Sequence, residues 1–569
     1  MTIFSGKKCF FHPFLYRTAM LDYILSVIGF LITLLIWLFS GSPDADATVV
    51  GGRERSSPPS PLQIRVGKKY AKLKTEKKTF RQFCNPTTYE IQPQQRFVGD
   101  WMTPSDKPKE LLMYHGIGAG KTCAAIQIGE KHKRPIIVMP ASLIPGFRNE
   151  LRGSCAGDKY ITPAERKALY DLSPKSKDYR RIIAISNDRI DRHYQIFSYN
   201  KFMEVYDTVR GDIIICDEVQ NISNRGGKYY QSVRDWIESH PRSSVVLMTA
   251  TPIFDSPAEL NNWAELLRIN QSIDTPDDVK YFAGKVSRYV GAPPSTYPQT
   301  TVKIVKCEMS NHQRHWYSTD LATELSQRGK LTLEEMPNDF YSNTRQRANI
   351  AYPRGLTGEA GLRALTTPLI RNHLDSYSCK MAQLMRRLKK RKHSFIFSNY
   401  TGAGGIAAIT KCMRVYGFKD YFEHGPGPNR YAVWSGDTSD AEREEIRAVF
   451  NHENNDNASK ISVVVGSPSV RAGVSLLRVR YAHIMETHWN HPYLEQVYGR
   501  VDRYCSHKRL PLDQRNVKIY LYVSYAARPD ATPENSIDLY MLSIADRKKE
   551  VATPWCKRLN EVAVDRLVY

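Results

Sequence analysis

The sequence predicts an α/β protein made of two units, each an open, doubly wound parallel sheet with helices on both faces. Three observations support this fold class. Short apolar runs rich in Val and Ile alternate with helical patterns over residues 87–270, and the alternation returns over residues 386–526. Runs that are apolar on both faces are typical of buried parallel strands. The chain of 569 residues is also too long for one hydrophobic core, so several folding units are expected.

The predicted strands are apolar runs bounded by polar or turn-forming residues. In the first unit they are ELLMYH, PIIVMP, RIIAIS, GDIIICDE and SSVVLMTATP. In the second unit they are SFIFSNY, YAVWSG, ISVVVGS, YAHIMET and VKIYLYVS. Residues 271–385 are more polar and irregular, which predicts a partly helical insertion between the units. Residues 527–569 predict a helical tail.

Residues 1–60 contain an apolar segment and a Gly/Ser/Pro-rich linker. Tyr23–Phe39 form an uncharged run of 17 residues. As a helix this run would span about 25 Å, slightly less than a bilayer core of about 30 Å. Three interpretations are open: an N-terminal apolar transmembrane helix, a cleaved secretory signal, and a start codon assigned too far upstream. Residues 61–86 form a strongly basic arm, which is either solvated or in contact with nucleic acid.

The net charge and the cysteine content limit which partners and which redox compartment are expected. The net charge of +23 comes from 81 Lys and Arg against 58 Asp and Glu. Such an excess is either a solvated surface or an attraction for a polyanion such as nucleic acid. The ten cysteines are scattered singly, with no CxxC pair and no histidine cluster at metal-ligand spacing. This pattern predicts a reducing compartment and argues against zinc.

The stretch LLMYHGIGAGKTCAAI predicts a loop that binds nucleotide phosphates. Its glycines allow the backbone N–H groups to turn inward towards phosphate oxygens. These glycines are Gly116, Gly118 and Gly120. Lys121 would then reach the β and γ phosphates, and the hydroxyl of Thr122 would bind Mg²⁺. His115 stands where the strict motif has glycine, so only the shorter GxGKT pattern is complete.

Two further groups of residues predict ATP hydrolysis. The run IIICDEVQN places Asp217 and Glu218 directly after a buried strand, where the first can hold Mg²⁺ and the second can polarise the attacking water. In HWNHPYLEQVYGRVDRYCSH, three polar residues have the spacing i, i+4, i+7, which places them on one face of a helix. They are Gln496, Arg500 and Arg503. Arginines facing a γ-phosphate can stabilise charge in the transition state.

The ordered set HGIGAGKT, DEVQN, MTATP, VRAGVSL and QVYGRVDR resembles the superfamily-two helicases, which have two RecA-like lobes. The run HWNHPYLEQVYGRVDR is similar to the last motif of the Swi/Snf-like branch. A narrower likeness, over Tyr89 to Ser524, is to helicase-like ATPases of nucleocytoplasmic large DNA viruses. These include the small subunit of the poxvirus early transcription factor. The stretches TATPIFDSPAELNNWAELLRIN and SFIFSNYTGAGGIAAITKCMRVYGF carry it.

The resemblance implies further site residues. Gln95 in IQPQQRF matches the glutamine that reads adenine, with Gln94 as its rival for that role. Gln220 stands where many relatives have histidine, which puts the coupling details in question. Contacts to a nucleic-acid strand are implied for residues in five motif positions. They are Ser142, Thr249, Ser435, Gly473 and Ser475.

The resemblance implies an ATP- and Mg²⁺-dependent translocase that grips DNA, or RNA, through the phosphate backbone. The first functional hypothesis is a DNA-dependent ATPase serving viral early transcription with a partner subunit or RNA polymerase, in the host cytoplasm or the virion. The second is a remodelling or repair translocase of cellular type. The third is a membrane-tethered nucleic-acid-binding subunit, anchored through Tyr23–Phe39, with little ATPase activity.

Overall fold

The computed structural model describes residues 57–73, 79–86, 89–174, 176–327, 340–471 and 474–569. The apolar run Tyr23–Phe39 lies outside the described residues. Among the described residues, no helix combines the length and the apolar character that a membrane crossing requires. The N-terminal apolar helix therefore remains a prediction from the sequence.

The first lobe is built on a sheet whose described strands are all parallel. Its strands are β1 (Glu110–His115), β2 (Pro135–Met139), β3 (Gln195–Ser198), β4 (Ile213–Asp217), β5 (Ser244–Thr249) and β6 (Val286–Tyr289). Their order across the sheet is β3-β2-β4-β5-β1-β6. The carboxyl ends of parallel strands meet at one edge, so the residues that follow β1, β4 and β5 are brought together there.

Helices cover both faces of this sheet. They are α1 (Pro61–Lys69), α3 (Pro93–Trp101), α4 (Lys121–Gly129), α5 (Ile144–Leu151), α6 (Pro163–Asp171), α7 (Lys177–Asp191), α8 (Tyr199–Val205), α9 (Lys228–Ser239) and α10 (Glu259–Leu266). The short helix α2 (Phe80–Cys84) contacts the second lobe instead, where the Arg515 guanidinium lies 4.0 Å from the centre of the Phe80 ring. Two hydrophobic clusters form the core, one on each face of the sheet. The alternation of β2, β4 and β5 with helices is the pattern that the sequence predicts.

The strand predicted from RIIAIS is wrong, because these residues lie inside helix α7. The helix begins at Ser176, whose hydroxyl caps it by accepting from the backbone N–H of Tyr179. Ile185 is 41 % exposed, whereas Ile190 is buried. The apolar run is therefore part of a helix with one buried face, and the strand at this place in the chain is the shorter QIFS run of β3.

The second lobe has its own parallel sheet. Its strands are β7 (Gln299–Glu308), β8 (Ser394–Phe397), β9 (Lys419–Asp420), β10 (Arg430–Trp434), β11 (Val463–Gly466), β12 (Tyr481–Ile484) and β13 (Asn516–Tyr525). Across the sheet the order is β7-β13-β12-β8-β11-β10-β9. Its helices are α11 (Asn311–Gln327), α12 (Ser342–Asn349), α13 (Gly358–Ala364), α14 (Thr367–Tyr377), α15 (Cys379–Arg387), α16 (Ile406–Val415), α17 (Tyr421–His424), α18 (Asp440–Asn451), α19 (His491–Tyr498) and α20 (Ile537–Val562). The two parallel α/β lobes agree with the predicted fold class.

Residues 271–385, which the sequence predicts as an insertion, contribute a strand to each sheet. β6 forms an edge of the first sheet beside β1, and β7 pairs with β13 along its full length in the second. Each lies at an edge of its sheet, and β7 is largely exposed, as an edge strand covered on only one side can be. The boundary between the sheets therefore falls between residues 289 and 299, and α11–α15 pack on the second lobe.

The basic arm and the tail both pack against the lobes. In α1, the side-chain amide of Gln63 donates to the backbone oxygens of Glu561 and Ala563, and Val66 joins a first-lobe cluster. The described part of the arm is therefore not a solvated extension. Helix α20 begins in the second-lobe core, whereas Leu559, near its end, lies in a first-lobe core.

Four cysteines form two disulfide bonds, Cys84–Cys505 and Cys123–Cys155. Two disulfides are not what the predicted reducing compartment would lead one to expect, and the compartment itself stays a prediction. The partners are 421 and 32 residues apart in the sequence, so no local spacing predicts either pair. Only the fold brings the sulfur atoms together.

Candidate functional site

The predicted phosphate loop joins β1 to α4 at the carboxyl edge of the first sheet. Gly118 and Gly120 have φ of +73° and +78°, a region that side chains with a Cβ rarely adopt. A Cβ on Gly116 would lie 2.3 Å from the backbone oxygen of Val290. The three glycines are therefore required by the path of the loop. The Lys121 ammonium donates to the backbone oxygens of His115 and Gly116 at 3.3 and 3.4 Å, which places it inside the loop.

The acid pair follows β4 and faces the loop. Asp217 is buried, its backbone oxygen accepts from Tyr199, and its carboxylate accepts from the backbone N–H of Glu218. Burial and the neighbouring Glu218 carboxylate raise the pKa of Asp217. Burial lowers the pKa of Lys121, and the two carboxylates oppose that shift. Lys121, Asp217 and Glu218 therefore lie close enough to influence one another's charge states.

The backbone of Glu218 is in the left-handed region, with φ of 53° and ψ of 53°. For a residue other than glycine this conformation costs of order 1–3 kcal/mol and persists only where the surroundings impose it. The surroundings do so here. The Asn221 side chain donates to the Glu218 backbone oxygen, and Gln220 donates to its carboxylate at 2.6 Å. The carboxylate is thereby held in a fixed direction at the cleft.

Gln220 connects the acid pair to the MTATP motif. Its side-chain oxygen accepts from the hydroxyl of Thr249 at 2.9 Å, while its amide donates to Glu218. Thr249 is fully buried and also bonds Thr251. In this arrangement of the lobes the Thr249 side chain is used inside the first lobe, and its predicted nucleic-acid contact stays a prediction. Gln220, which stands where many relatives have histidine, therefore links the acid pair to the MTATP motif by itself.

The second lobe brings the end of helix α19 and the segment after it to the same loop. The prediction that Gln496, Arg500 and Arg503 share one helix face is wrong, because the helix ends before the two arginines. Helix α19 ends at Tyr498, and the next residue is Gly499. Gly499 lies so close to the phosphate loop that a Cβ on it would be 2.4 Å from Ile117 Cγ2. Arg503 Cδ lies 4.0 Å from the position of a Cβ on Gly118. Arg500 donates to the backbone oxygens of Gln496 and Val474. Arg503 therefore lies directly against the phosphate loop.

One cleft of about 470 Å³ collects these groups between the lobes. It is lined by Gly118, Gly120, Lys121, Thr122, Asp217 and Glu218 from the first lobe, and by Ser475, Gln496, Arg500 and Arg503 from the second. Gly116 supports the loop from outside the cleft wall. A hydroxyl and a carboxylate oxygen, from Thr122 and Asp217, are the hard donors that Mg²⁺ accepts, so this cleft fits the ion that the family implies.

Gln94 and Gln95 lie behind the phosphate loop. The Gln94 amide donates to the Ala119 oxygen at 3.1 Å, and the Gln95 amide donates to the Gly120 oxygen at 3.4 Å. The Gln95 side-chain oxygen also accepts from the Gln92 backbone N–H at the start of α3. The Gln94 side-chain oxygen has no hydrogen-bond partner among the described residues. Both glutamines brace the loop, and the choice of adenine reader stays open.

The other residues predicted to contact nucleic acid are dispersed. Ser142 is exposed after β2 and lines a separate cavity of about 320 Å³. Ser435 is buried and its hydroxyl is bonded to Thr438, and its predicted strand contact stays a prediction. Ser475 lines the nucleotide cleft, and Gly473 lies outside the described residues.

Three polar cleft residues of the second lobe are among those that the sequence patterns do not identify. Arg447 and Asn451 extend from α18, and Tyr504 follows Arg503. Arg447 is held by Glu444 on the same helix, and Asn451 donates to the Ser475 oxygen. The helical spacing of Arg443 and Arg447 in EREEIRAVFN could have revealed one cationic face. Nothing in the sequence shows that this face meets the phosphate loop.

A buried chain of hydrogen bonds links the phosphate loop to the tail. His115 Nε2 is 2.8 Å from the Ser287 hydroxyl, which donates to the Asp565 carboxylate at 2.5 Å. The Arg288 backbone N–H donates to the same carboxylate. Burial raises the pKa of Asp565 to about 7 from 3.8. Tail and loop thus share one polar network around β6.

We expect this network to make stability depend on pH. The folded state holds the Asp565 proton more tightly than the unfolded chain does, so its stabilising contribution is complete below pH 3.8 and is lost as the pH rises through about 7. Each unit of pKa difference corresponds to about 1.4 kcal/mol. Between these pH values the unfolding temperature of the wild type should fall more steeply than that of Asp565→Asn. Thermal unfolding across this range tests it, with exposed Asp106→Asn as the control; parallel curves for wild type and Asp565→Asn would contradict it.

The close contact at Gly499 gives a second prediction. Gly499→Ala would force the arginine segment away from Ile117, and a misplacement of about 1 Å can cost about a hundredfold in rate. We expect kcat for ATP hydrolysis to fall by roughly tenfold to a hundredfold. Adding Ile117→Ala removes the clashing methyl and should restore part of the rate. Gly402→Ala, where a Cβ would meet nothing within 4 Å, is the control; equal rates for the two glycine variants would refute the contact.

Two parallel-sheet lobes that enclose a lysine, two acids and two arginines in one cleft define a helicase-type ATPase. No family model matches the chain. A protein of Acanthamoeba polyphaga mimivirus described as an ATP-dependent RNA helicase is 39% identical over 539 residues, covering 88% of this chain and 93% of that protein. At this identity and coverage the family is clear. The chain belongs to the ATP-dependent helicases of large DNA viruses, and it is an ATP-hydrolysing enzyme.

More distant relatives are longer than this chain. A helicase of Invertebrate iridescent virus 3 is 25% identical over 537 residues, which cover 83% of this chain and 53% of that protein. The early transcription factor large subunit homolog of African swine fever virus, Tick/Malawi isolate, is 24% identical over 434 residues, 58% of this chain and 39% of its own length. A solved Sulfolobus solfataricus SWI2/SNF2 ATPase core in complex with dsDNA matches 83% of the chain at 13% identity with a TM-score of 0.29. A structural similarity of that size carries no argument.

Proposed function

We propose that the protein is a nucleic-acid-stimulated ATPase that moves along duplex DNA during viral early transcription. The observation that carries the proposal is the shared cleft. Lys121 and Arg503 come from different lobes, and both lie at the phosphate loop. A γ-phosphate held between them would join the lobes. Its removal by hydrolysis would break that connection and allow the lobes to separate.

Each residue of the cleft has a chemical task in this proposal. The loop N–H groups and Lys121 bind the β and γ phosphates, and Thr122 and Asp217 would hold Mg²⁺. The ion would neutralise phosphate charge during the transfer. Glu218, fixed by Gln220, accepts a proton from the attacking water. Arg500 and Arg503 stabilise the charge that develops on the leaving phosphates.

The relay through Gln220 offers a route from hydrolysis to motion. Gln220 bonds Glu218 and Thr249 together, and the chain that follows Thr249 reaches the second lobe. There Asp255 accepts from Asn490 at 2.9 Å and pairs with Lys548 at 2.7 Å. A change at the γ-phosphate would therefore be felt by side chains that cross between the lobes. The two lobes can then grip a strand in alternation.

The grip itself is expected to be electrostatic. The net charge of +23 suits a phosphate backbone. The affinity of such binding falls as the salt concentration rises, because the release of counterions from the nucleic acid then contributes less free energy. Backbone contacts carry no base sequence, so promoter choice would come from a partner subunit or an RNA polymerase. The relative named as an early transcription factor subunit homologue supports this assignment. We place the activity in the host cytoplasm or the virion.

An RNA substrate is the second candidate, because the mimivirus relative is described as an RNA helicase. The decisive experiment measures ATP turnover of the full chain with no nucleic acid, duplex DNA, single-stranded DNA, duplex RNA and single-stranded RNA, each at low and high salt. Duplex DNA should stimulate most, and the stimulation should fall as salt rises. Stronger stimulation by RNA would replace the DNA assignment. Lys121→Ala should remove turnover in every condition, whereas Lys131→Ala, on an exposed ion pair with Asp100, should not.

A further inference from the structure

The amino ends of the second-sheet strands form an edge on the side of the lobe away from the nucleotide cleft. All ladders between the described strands of this sheet are parallel, so their amino ends lie together. The cleft residues Ser475 and Gln496 follow β11 and β12, at the carboxyl edge. β8, β11 and β12 have four residues each, so roughly 13 Å of strand separates the two edges. A ligand at the amino edge would therefore occupy a different surface from ATP.

The loop between α15 and β8 is the most basic part of this edge. Six of the seven residues 386–392 are Lys or Arg. The last four, Lys389, Lys390, Arg391 and Lys392, are all exposed. Within the part of the chain that the structure describes, none of these four pairs with a carboxylate. Four positive charges thus face solvent on one short loop.

The loop is a folded turn. Arg391 has φ of 54°, and its backbone N–H donates to Asn429 Oδ1 at 3.3 Å. The ammonium of Lys390 lies 3.6 Å from the position of a Cβ on Gly417, just after α16. The turn therefore displays its charges in a fixed arrangement against the neighbouring segments.

The register of the sheet extends this charge along the edge. Arg480 directly precedes β12, and its backbone N–H donates to the His393 oxygen beside the loop. Arg430 begins β10, Lys419 begins β9, and the two residues are partners in the ladder. Lys518, in β13, is the partner of the first residue of β12. We name residues 389–392 and these four cations the basic edge. Because neighbouring strands are about 4.8 Å apart, the basic edge is roughly 24 Å long from β13 to β9.

Acidic residues on neighbouring segments do not balance this charge. Asp456 pairs with Arg478 and Arg509. Asp420 caps the start of α17 by accepting from backbone N–H groups, and Asp513 is a single exposed acid before β13. The positive charges of the basic edge are therefore available to a partner.

The amino edge of the first sheet provides a contrast. Glu110, the first residue of β1, pairs with both Arg268 and Lys285. Asp212, directly before β4, pairs with His132. At that edge the carboxylates lie among the cations, so positive charge is compensated within the fold. The second sheet differs because its cations are not compensated in this way.

We propose that the basic edge is a second phosphate-backbone site, which holds nucleic acid on the second lobe away from the nucleotide cleft. Like charges gathered on one surface repel one another, and a polyanion relieves that repulsion. Duplex DNA carries one charge per about 1.7 Å of its axis, so a length of roughly 24 Å carries about 14 charges. The inference rests on the proposed function for the choice of nucleic acid as the polyanion. It adds a contact that ATP hydrolysis does not release, so the second lobe can stay on the duplex while the cleft opens.

A protein that reads the basic run as an extended segment fits the structure less well. Runs rich in Lys and Arg also serve as nuclear localisation signals. Here the left-handed backbone of Arg391 and its bond to Asn429 keep the run in a turn. The neighbouring strands add further cations to the same surface. A surface of this kind matches a continuous row of phosphates.

The localising experiment uses the full chain without nucleotide. Lysines are modified with an amine-reactive reagent in the presence and absence of duplex DNA, and each modified position is identified by mass spectrometry. Lys389, Lys390 and Lys392 should lose reactivity when DNA is bound. Lys107 and Lys133, which are exposed at the amino edge of the first sheet, should react equally in both conditions. Unchanged reactivity of the three loop lysines with DNA bound would overturn the inference.

A triple variant measures the energetic contribution of the loop. It combines Lys389→Gln, Lys390→Gln and Lys392→Gln, and it leaves Arg391 in place because of its left-handed backbone. The slope of log affinity for duplex DNA against log salt concentration should become shallower by about 0.9 for each lost phosphate contact, hence by about 2.7 for three. The unfolding temperature should not fall below the wild-type value, because three like charges are removed from one surface.

The matched control removes the same charge from the first lobe. It combines Lys107→Gln, Lys133→Gln and Arg242→Gln, at exposed positions before β1, β2 and β5. This variant should retain the wild-type salt slope. If both triple variants lose the same slope, total charge holds the DNA and the inference is overturned. Polyglutamate that displaces DNA as well as unlabelled DNA does, at equal charge concentration, would assign the edge to an acidic protein instead.

ATP turnover separates this inference from the proposed function. Protection of the loop lysines without stimulation of turnover by nucleic acid would leave the second site in place and overturn the translocase. Stimulation without protection would do the reverse. If the wild type neither binds nor responds to nucleic acid, both are overturned.

Discussion

Replacing Arg503 by alanine should lower kcat for ATP hydrolysis by about a thousandfold or more, the usual effect of removing an arginine that stabilises phosphoryl transfer. Arg503 lies against Gly118 of the phosphate loop although it belongs to the other lobe. Its Nε is buried and has no hydrogen-bond partner among the described residues, and its Nη2 reaches only the Val474 oxygen at 3.5 Å. This guanidinium is therefore held in the cleft with donors to spare. Burial lowers its pKa, which is consistent with a cation that awaits an anionic partner.

The measurement is steady-state hydrolysis together with equilibrium binding of ATP. Binding should weaken much less than kcat, because the phosphate loop retains its own contacts. Arg503→Lys should recover little, since lysine cannot offer the planar pair of donors. Arg509→Ala is the control, because Arg509 pairs with Glu453 and Asp456 on the surface of the second lobe. If Arg503→Ala hydrolyses ATP at the wild-type rate, Arg503 of the second lobe is not part of the catalytic site.

The second large effect is expected for Glu218→Gln. General-base catalysis contributes about a hundredfold to ten-thousandfold, so hydrolysis should fall by that factor while ATP still binds. Glutamine is nearly isosteric, and its side-chain oxygen can still accept from Gln220. The fold at this point should therefore survive, and the loss can be assigned to the missing proton acceptor.

Single-turnover hydrolysis with enzyme in excess isolates the chemical step from product release. The bound ATP should remain intact for many wild-type turnover times. Glu204→Gln serves as the control, since Glu204 makes an exposed pair with Lys201 on α8. If Glu218→Gln hydrolyses ATP in the single-turnover assay as fast as the wild type, the proton acceptor is another residue.

Local pattern in the sequence was sufficient for the nucleotide residues. Gly118, Gly120, Lys121, Asp217 and Glu218 follow strands whose carboxyl ends share one edge, so a correct strand prediction already brings them together. The run QVYGRVDR likewise supplies Gln496, Arg500 and Arg503, which all line the cleft, although not from one helix face. What spacing could not provide is the distance between the lobes, because it depends on contacts such as Gly499 against Ile117 that join distant parts of the chain.

The errors have identifiable physical causes. A six-residue apolar run cannot distinguish a buried strand from the inner face of a helix, and RIIAIS belongs to the helix α7. The i, i+4, i+7 spacing of Gln496, Arg500 and Arg503 suggests one helix, yet α19 ends at Tyr498. The disulfide Cys84–Cys505 joins residues 421 positions apart. Pairings of this kind follow from the assembled fold, and no single-sequence pattern encodes them.

Helix α20 has a practical consequence for dividing the molecule. Its first turns bury Ile537 and Met541 in the second-lobe core, whereas Leu559 and the residues after it, Ala563, Val564 and Val568, complete first-lobe cores. A fragment cut after the first sheet would expose an apolar surface that these side chains cover. Such a fragment should aggregate when expressed by itself, and a peptide spanning residues 537–569 supplied in trans should keep it monomeric. The unit that can be produced separately is therefore discontinuous in the gene, even though each sheet is continuous in space.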